Sequence, residues 1–207
     1  ESSIKEAVLQ LGNIGWSPDL LELGHFEDDP DFILPLVELI RPHLDERSHL
    51  LFSYHGLPLS HIRRIDKSGS HCQKSNTCCT ESVEANSLCY SHHCHKTTMS
   101  VVRELGLSEN RWTISFQSRL GPAKWLEPST LSVVENLAKK GEKVVVVSPA
   151  FLADGLETLE ELEIEAREHY MIHGGSQFSV VRCLNDSPEW IKGFSKIINN
   201  RFASVRN

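Results

Sequence analysis

Apolar and polar positions along the chain fall into two alternating rhythms. Short apolar-rich runs stand at 50–54, 111–116, 144–148 and 178–182. Runs of this length suit strands buried on both faces. Between them lie longer stretches whose apolar residues recur three and four apart, the spacing of one helix face. Residues 30–46 open on Pro30, a favoured first helical residue, and carry apolar side chains at 32, 33, 36, 37 and 40. A helix over 92–105 ends on a candidate cap at Gly106, and one over 128–140 has Gly141 behind it. A strongly acidic helix is expected over 157–169, ending before Gly174-Gly175, and a last helix over 188–202. Near the start, residues 4–11 read as the end of an amphipathic helix and 19–23 as a short strand. Residues 59–88 break the rhythm with a polar insert rich in Ser, Asn, Cys and Thr.

Strands that alternate with helices predict an α/β fold with a doubly wound parallel sheet in three layers, α/β/α. Ligands in such folds sit at the carboxyl ends of the strands. Three chemically loaded loops fall there: 53–58, 116–126 and 148–157.

Composition adds mostly exclusions. A net charge of −7 and the lack of any basic run give no reason to expect a nucleic-acid partner. The longest apolar run, Val144 to Val147, is far too short to span a bilayer, so no transmembrane segment is expected. The chain opens on Glu1 without a methionine and reads as a fragment or a processed product, so that a targeting signal could lie outside it. Five of the six cysteines (Cys72, Cys78, Cys79, Cys89 and Cys94) fall within 23 residues. An odd cluster suits a disulfide framework poorly and points instead to metal in a reducing, cytoplasmic setting.

Three segments carry candidate chemistry. Ser53-Tyr54-His55-Gly56-Leu57-Pro58 places a histidine where a buried strand stops, and Gly56 allows a close approach there. Taken alone, such a histidine is more often structural than catalytic. Glu157, Glu161 and Glu165 follow i, i+4, i+8 spacing and share one helix face, although like charges at that spacing oppose the helix. They form either a solvated acidic face or a carboxylate ladder that binds or relays hard cations. The run from Phe116 to Pro128 puts Arg119, Lys124 and Trp125 on a rigid loop, a set suited to a flat, anionic ligand.

Tyr-His-Gly-Leu-Pro at 54–58, Phe-Gln-Ser-Arg-Leu-Gly-Pro-Ala-Lys-Trp-Leu at 116–126, and Ser-Pro-Ala-Phe-Leu-Ala-Asp-Gly-Leu-Glu-Thr-Leu-Glu-Glu at 148–161 together resemble the signature segments of ferrochelatase. They stand in the family's order and at about its spacing, from roughly residue 19 to the end. The resemblance implies insertion of ferrous iron into protoporphyrin IX, the final step of haem biosynthesis, in a cleft between two similar α/β domains. It implies His55 and Glu157 as the facing catalytic pair. His55, Glu157, Glu161 and Glu165 would then handle the metal, and Tyr54, Ser118, Arg119, Trp125 and Phe151 the porphyrin. It also implies that residues 1–48 are a remnant of the first domain and its crossover, and that 49–207 are the second domain, with a Cys-rich insert at 59–94. Most of the first domain, one wall of the cleft, would be missing, so metal insertion by this chain alone is expected to be poor. Family members often carry a histidine two positions before the glutamate; here it is Gly155.

The insert follows the spacing Cys-x5-Cys-Cys-x9-Cys-x4-Cys, neither a zinc pair nor a ferredoxin run. It resembles the loop of bacterial ferrochelatases that hold a [2Fe–2S] cluster. On that resemblance Cys72, Cys78, Cys79 and Cys89 are the ligands and Cys94 is the spare; zinc, or free or disulfide-linked thiols, are the alternatives. Cys183 reads as a buried small hydrophobe. Two rival functions remain in view: a cobalt or nickel chelatase acting on sirohydrochlorin, and a non-catalytic iron–sulfur or redox-sensing module on a chelatase scaffold. The segment at 116–122 argues against the first, and retention of both His55 and Glu157 against the second.

Overall fold

The computed structural model describes residues 2–16, 22–75 and 77–203. The chain divides into two compact units, Glu1–His25 with Ile198–Asn207, and Phe26–Ile197. Helix α1 (Ser2–Asn13) lies in the first. In the second, α2 (Pro30–Ile40) leads to β1 (Ser48–His55), α3 (Leu59–Ile65) and α4 (Tyr90–Leu105). Then follow β2 (Trp112–Gln117), α5 (Thr130–Lys139), β3 (Lys143–Val147), α6 (Leu156–Leu159), a π-helical segment (Glu161–Ala166), α7 (Arg167–Ile172), β4 (Phe178–Val180) and α8 (Pro188–Ala203), whose residues from Ile198 on are counted with the first unit. Among the described residues no helix is long and apolar enough to cross a membrane.

Among the described residues four strands form a parallel sheet in the order β2-β1-β3-β4, with helices on both faces. The expected three-layer α/β/α fold is present. Strand alternation assigns the faces. Leu51 packs under α5 and the 161–172 segment with Val134, Leu137, Leu162, Ala166 and Tyr170. Tyr54, of opposite parity, enters the layer of α4, where its hydroxyl donates to the Cys94 carbonyl at 3.0 Å. Each fully buried large aliphatic contributes about 1.5–3 kcal/mol relative to an exposed one, so this two-sided core dominates stability.

Several boundaries differ from the sequence expectation. Helix 30–46 stops at Ile40 and tightens into a 3-10 turn over Arg41–His43. Pro42 lacks the N–H that a further helical turn requires. Helix α2 packs against α4. The strand expected at 19–23 falls largely outside the described residues, and Glu22 and Leu23 belong to no element. The polar insert is not wholly irregular, since its first residues form α3.

The acidic helix expected over 157–169 is the main departure: it is three pieces. The Glu165 N–H bonds the Glu160 carbonyl at 2.9 Å, an i→i−5 contact that marks the π turn. The physical reason lies in the core. Thr158, Leu162, Ala166 and Tyr170 are all buried, at intervals of four. In a pure α-helix each such step overshoots by about 40°, so three steps would rotate the stripe about 120° off the core. The wider π turn takes up the overshoot and keeps the stripe inward.

Candidate active site

Strand β1 is central, and its neighbours β2 and β3 are reached by connections that leave in opposite directions. The carboxyl ends of β1 and β3 therefore flank a topological switch point. His55 is the last residue of β1, and the loop after β3 brings Phe151 beside it, ring centroids 6.4 Å apart and nearly edge to face. His55 is half-buried, and its Nδ1 is enclosed without a hydrogen-bond partner among the described residues. An enclosed, uncommitted imidazole nitrogen costs free energy to maintain, unlike a histidine that merely braces a loop.

Gly56 fixes the turn that follows. A Cβ there would sit 2.6 Å from the Gln117 carbonyl oxygen and 3.4 Å from Trp125 Cε3. The Gly56 N–H donates to that same carbonyl at 2.8 Å. No larger residue allows this approach, which seats the half-buried Trp125 against the turn. Leu126 N donates to Leu57 O at 3.0 Å and Leu59 N to Lys124 O at 2.8 Å, so the 56–59 and 124–126 backbones zip together.

Gln117 pairs with His55 across the β1–β2 register. The Ser53 hydroxyl donates to its Oε1, and its Nε2 donates to the Glu157 carbonyl at 2.9 Å. Ser53 and Ser115 both meet the Thr130 hydroxyl, at 2.8 and 3.0 Å. A buried polar network thus ties the strand end bearing His55 to the backbone of Glu157. The sequence reading did not single out Gln117, Ser53 or Thr130. Their signal was faint: a hydroxyl and an amide on otherwise apolar strands, on the face that carries His55, and a hydroxyl at the start of α5.

The carboxylate of Glu157 turns back over Gly155, where a Cβ would lie 3.3 Å from Oε2. Any side chain at 155, the family's common histidine included, shifts that carboxylate by a few tenths of an ångström. Ser118 adopts φ = +59°, rare for a residue with a Cβ, and its hydroxyl reaches both oxygens of Glu161 at 2.8 and 2.6 Å. Glu161 and the exposed Glu165 line a cavity of about 430 Å³ with Ser118, Arg119 and Leu131. The π turn that aligns the buried stripe also keeps these neighbouring acids in line.

Two of the expected residues are engaged within the protein itself. Tyr54 is 1% exposed, with its hydroxyl also within 2.8 Å of Thr98 Oγ1, so it belongs to the core on the α4 side and not to a ligand surface. Burial holds its phenol well above the ordinary range. Arg119 folds back on its own loop, donating to the Leu126 carbonyl and pairing with Glu127 at 2.8 Å. Lys124 is exposed.

The cysteine insert forms a second focus. Cys72, Cys78, Cys79 and Cys89 line one cavity with His71 and Asn86; Cys94 lies outside it, 4% exposed. All six cysteines are free thiols. Asp66 organises the loop by accepting from the backbone N–H groups of Ser68, His71 and Cys72 and from the Ser68 hydroxyl. These bonds, that of Cys72 foremost, hold its carboxyl well below the usual range. His71 and Asn86 bracket the Cys78 carbonyl at 3.0 and 2.9 Å, and His92 Nδ1 donates to that of Cys79 at 2.8 Å. Burial pushes the Cys79 thiol up to about 12 and raises that of Cys72.

A switch-point histidine, on a strand tied through Gln117 to the backbone of Glu157, marks a candidate site at the strand ends of a three-layer parallel α/β protein. The chain belongs to the ferrochelatase family, whose model matches residues 1–202. Over 177 residues it is 41% identical to a ferrochelatase of Pseudomonas syringae pv. syringae, covering 84% of this chain and 52% of that protein. Over 202 residues it is 39% identical to one of Legionella pneumophila subsp. pneumophila (97% and 60%) and 38% identical to one of Bdellovibrio bacteriovorus (96% and 59%). The chain thus spans a little over half the length of these relatives.

Proposed function

We propose that this chain supplies one wall of a ferrochelatase active site, in which ferrous iron enters protoporphyrin IX to form protohaem. The observation that carries the reading is the uncommitted Nδ1 of His55, held at the switch point beside Phe151 and tied through Gln117 to Glu157. Insertion requires two pyrrole N–H protons to leave as the metal enters. His55, as a neutral imidazole, accepts such a proton or holds Fe²⁺ briefly. Glu157 offers a hard oxygen ligand and a proton exit. Glu161 and Glu165 extend that line along the cavity wall, as a path for metal inward or protons outward.

Trp125 and Phe151 are the flat walls against which a macrocycle rests. Ser118 and Arg119 act from behind, Ser118 by orienting Glu161 and Arg119 by bracing the loop that carries Trp125. The remaining wall comes from the part of the relatives that this chain does not match. The 207 residues alone therefore fold but insert metal poorly. We place the activity in a reducing cytoplasm, on the strength of the clustered thiols.

Cys72, Cys78, Cys79 and Cys89 fit a [2Fe–2S] cluster, since the four converge on one cavity. The Cys78 and Cys79 sulfurs lie 3.8 Å apart, close enough to share one metal. A single four-thiolate zinc, with about 2.3 Å bonds, needs every pair about 3.8 Å apart. When bound, a cluster supplies cross-links to an insert that buries little apolar surface. The thiol protons of Cys72 and Cys79 must leave as it forms.

The test of the main reading is iron insertion by the full-length protein. Wild type forms protohaem, and loss of the His55 imidazole removes that activity while leaving the fold intact.

A further inference from the structure

Two histidines unused by that reading meet a glutamate beyond the carboxylate line. His169 lies on α7, His173 one turn on at its end, and Glu135 on the adjacent α5. His169 Nε2 is 3.5 Å and His173 Nε2 3.8 Å from the same oxygen, Glu135 Oε2. The three ligand atoms lie within 4.8 Å of one another. Both contacts are longer than an ordinary N–H···O bond. They come close to a tetrahedron edge, which is about 3.4 Å for ligands about 2.0–2.1 Å from an ion.

The surroundings prepare these atoms to ligate. His173 Nδ1 lies 2.7 Å from the His169 backbone carbonyl. A carbonyl only accepts, so Nδ1 carries a hydrogen, and in the neutral imidazole Nε2 is then the nitrogen free to ligate. Second-shell bonds of this kind fix the tautomer of metal-binding histidines. Lys139 bonds the other Glu135 oxygen, Oε1, and holds the carboxyl below its ordinary range, leaving Oε2 to the imidazoles. Tyr170, between the histidines in sequence, anchors α7: it is fully buried, donates to the Glu142 carbonyl at 2.5 Å and packs on Phe178. The three side chains are 27–33% exposed, open enough for an ion and its waters to enter.

Their place in the fold is not incidental. Glu157, Glu161, Glu165, His169 and His173 recur at every fourth position. Leu131 lines the cavity that holds Glu161 and Glu165, and Glu135 stands one turn further along α5.

We propose that Glu135, His169 and His173 form a divalent transition-metal site, with two imidazole nitrogens, one carboxylate oxygen and a fourth position for water. This donor set suits Zn²⁺, Co²⁺, Ni²⁺ or Fe²⁺ and not Mg²⁺ or Ca²⁺. The site stands on its own ligands and does not depend on the roles assigned to His55 and Glu157.

The test is a Co²⁺ titration of the 207-residue chain, followed by visible absorption and by the imidazole resonances. The wild type is compared with His173→Ala, His169→Ala/His173→Ala, Glu135→Gln, and with His61→Ala at an exposed position as control. The wild type is expected to bind one equivalent more than the double variant, with the His169 and His173 resonances broadened. Each single change should weaken that equivalent by more than about tenfold, and His61→Ala should not. Equal stoichiometry in the wild type and the double variant, or unbroadened His169 and His173 resonances, overturns the proposal. The broadening is read on the wild type, so it decides the matter even if the double variant fails to fold.

Discussion

Two regions project from the same strand, and they are held in different ways. The turn after β1, with His55, Gly56 and Gln117, rests on strands whose Leu50, Leu51 and Phe52 are fully buried. It inherits its order from hydrophobic burial and adds a closed polar network on top. The cysteine insert buries few apolar side chains, chiefly Ile62 and Cys89, and is organised by Asp66, His71 and Asn86. The first region is positioned by the fold before any ligand arrives. The second is a shell of hydrogen bonds around four thiols, and its stability is open to what those thiols hold.

The difference can be broken or sharpened by substitution. Leu51→Ala should cost about 2–5 kcal/mol of global stability in a denaturant titration. A cost under about 1 kcal/mol would contradict a burial-dominated strand region. Gln117→Leu, which leaves the Ser53 hydroxyl and the Glu157 carbonyl short of a partner, should cost about 1–3 kcal/mol. It should also lower iron insertion by the full-length protein, because Glu157 loses its backbone anchor. Asp66→Ala should leave the midpoint of global unfolding nearly unchanged yet hasten protease cleavage within 66–89. A uniform loss of stability there would show that the insert is part of the main core.

The smallest effect expected is with pH. Burial raises the Cys79 thiol to about 12, against an unfolded value of about 8.5. The fold therefore favours the neutral thiol, and that contribution is fully present below about 8.5. It is lost as pH climbs toward about 12. Amide exchange in the insert should speed up over this window more than exchange in β1, and Cys79→Ser should flatten the change.

Much of this was legible in the sequence. The apolar runs marked all four strands, and Gly56 was read as a point of close approach before the clash with Gln117 was known. The grouping of five cysteines was legible; that four of them line one cavity and Cys94 does not is visible only in the structure. Tyr54 was not legible, since a motif places a residue near a site but only strand parity sends its ring to the α4 face. Nor was the π turn, because i, i+4, i+8 spacing looks the same in an α-helix until the buried stripe from Thr158 to Tyr170 demands otherwise. Arg119 read as a free cation for an anionic ligand, whereas its partners, the Leu126 carbonyl and Glu127, are set by how the loop closes. Gln117 escaped notice because a polar residue on a buried strand declares nothing until its bonds are seen.

The central claim is that His55 is presented for chemistry and does not merely brace the turn. Single-turnover insertion of ferrous iron into protoporphyrin IX, by full-length protein with and without His55→Ala, tests it most directly. Loss of a positioned acid–base group predicts a fall of about 10²–10⁴-fold at unchanged thermal stability. A His55→Ala protein that forms protohaem at the wild-type rate would contradict the account.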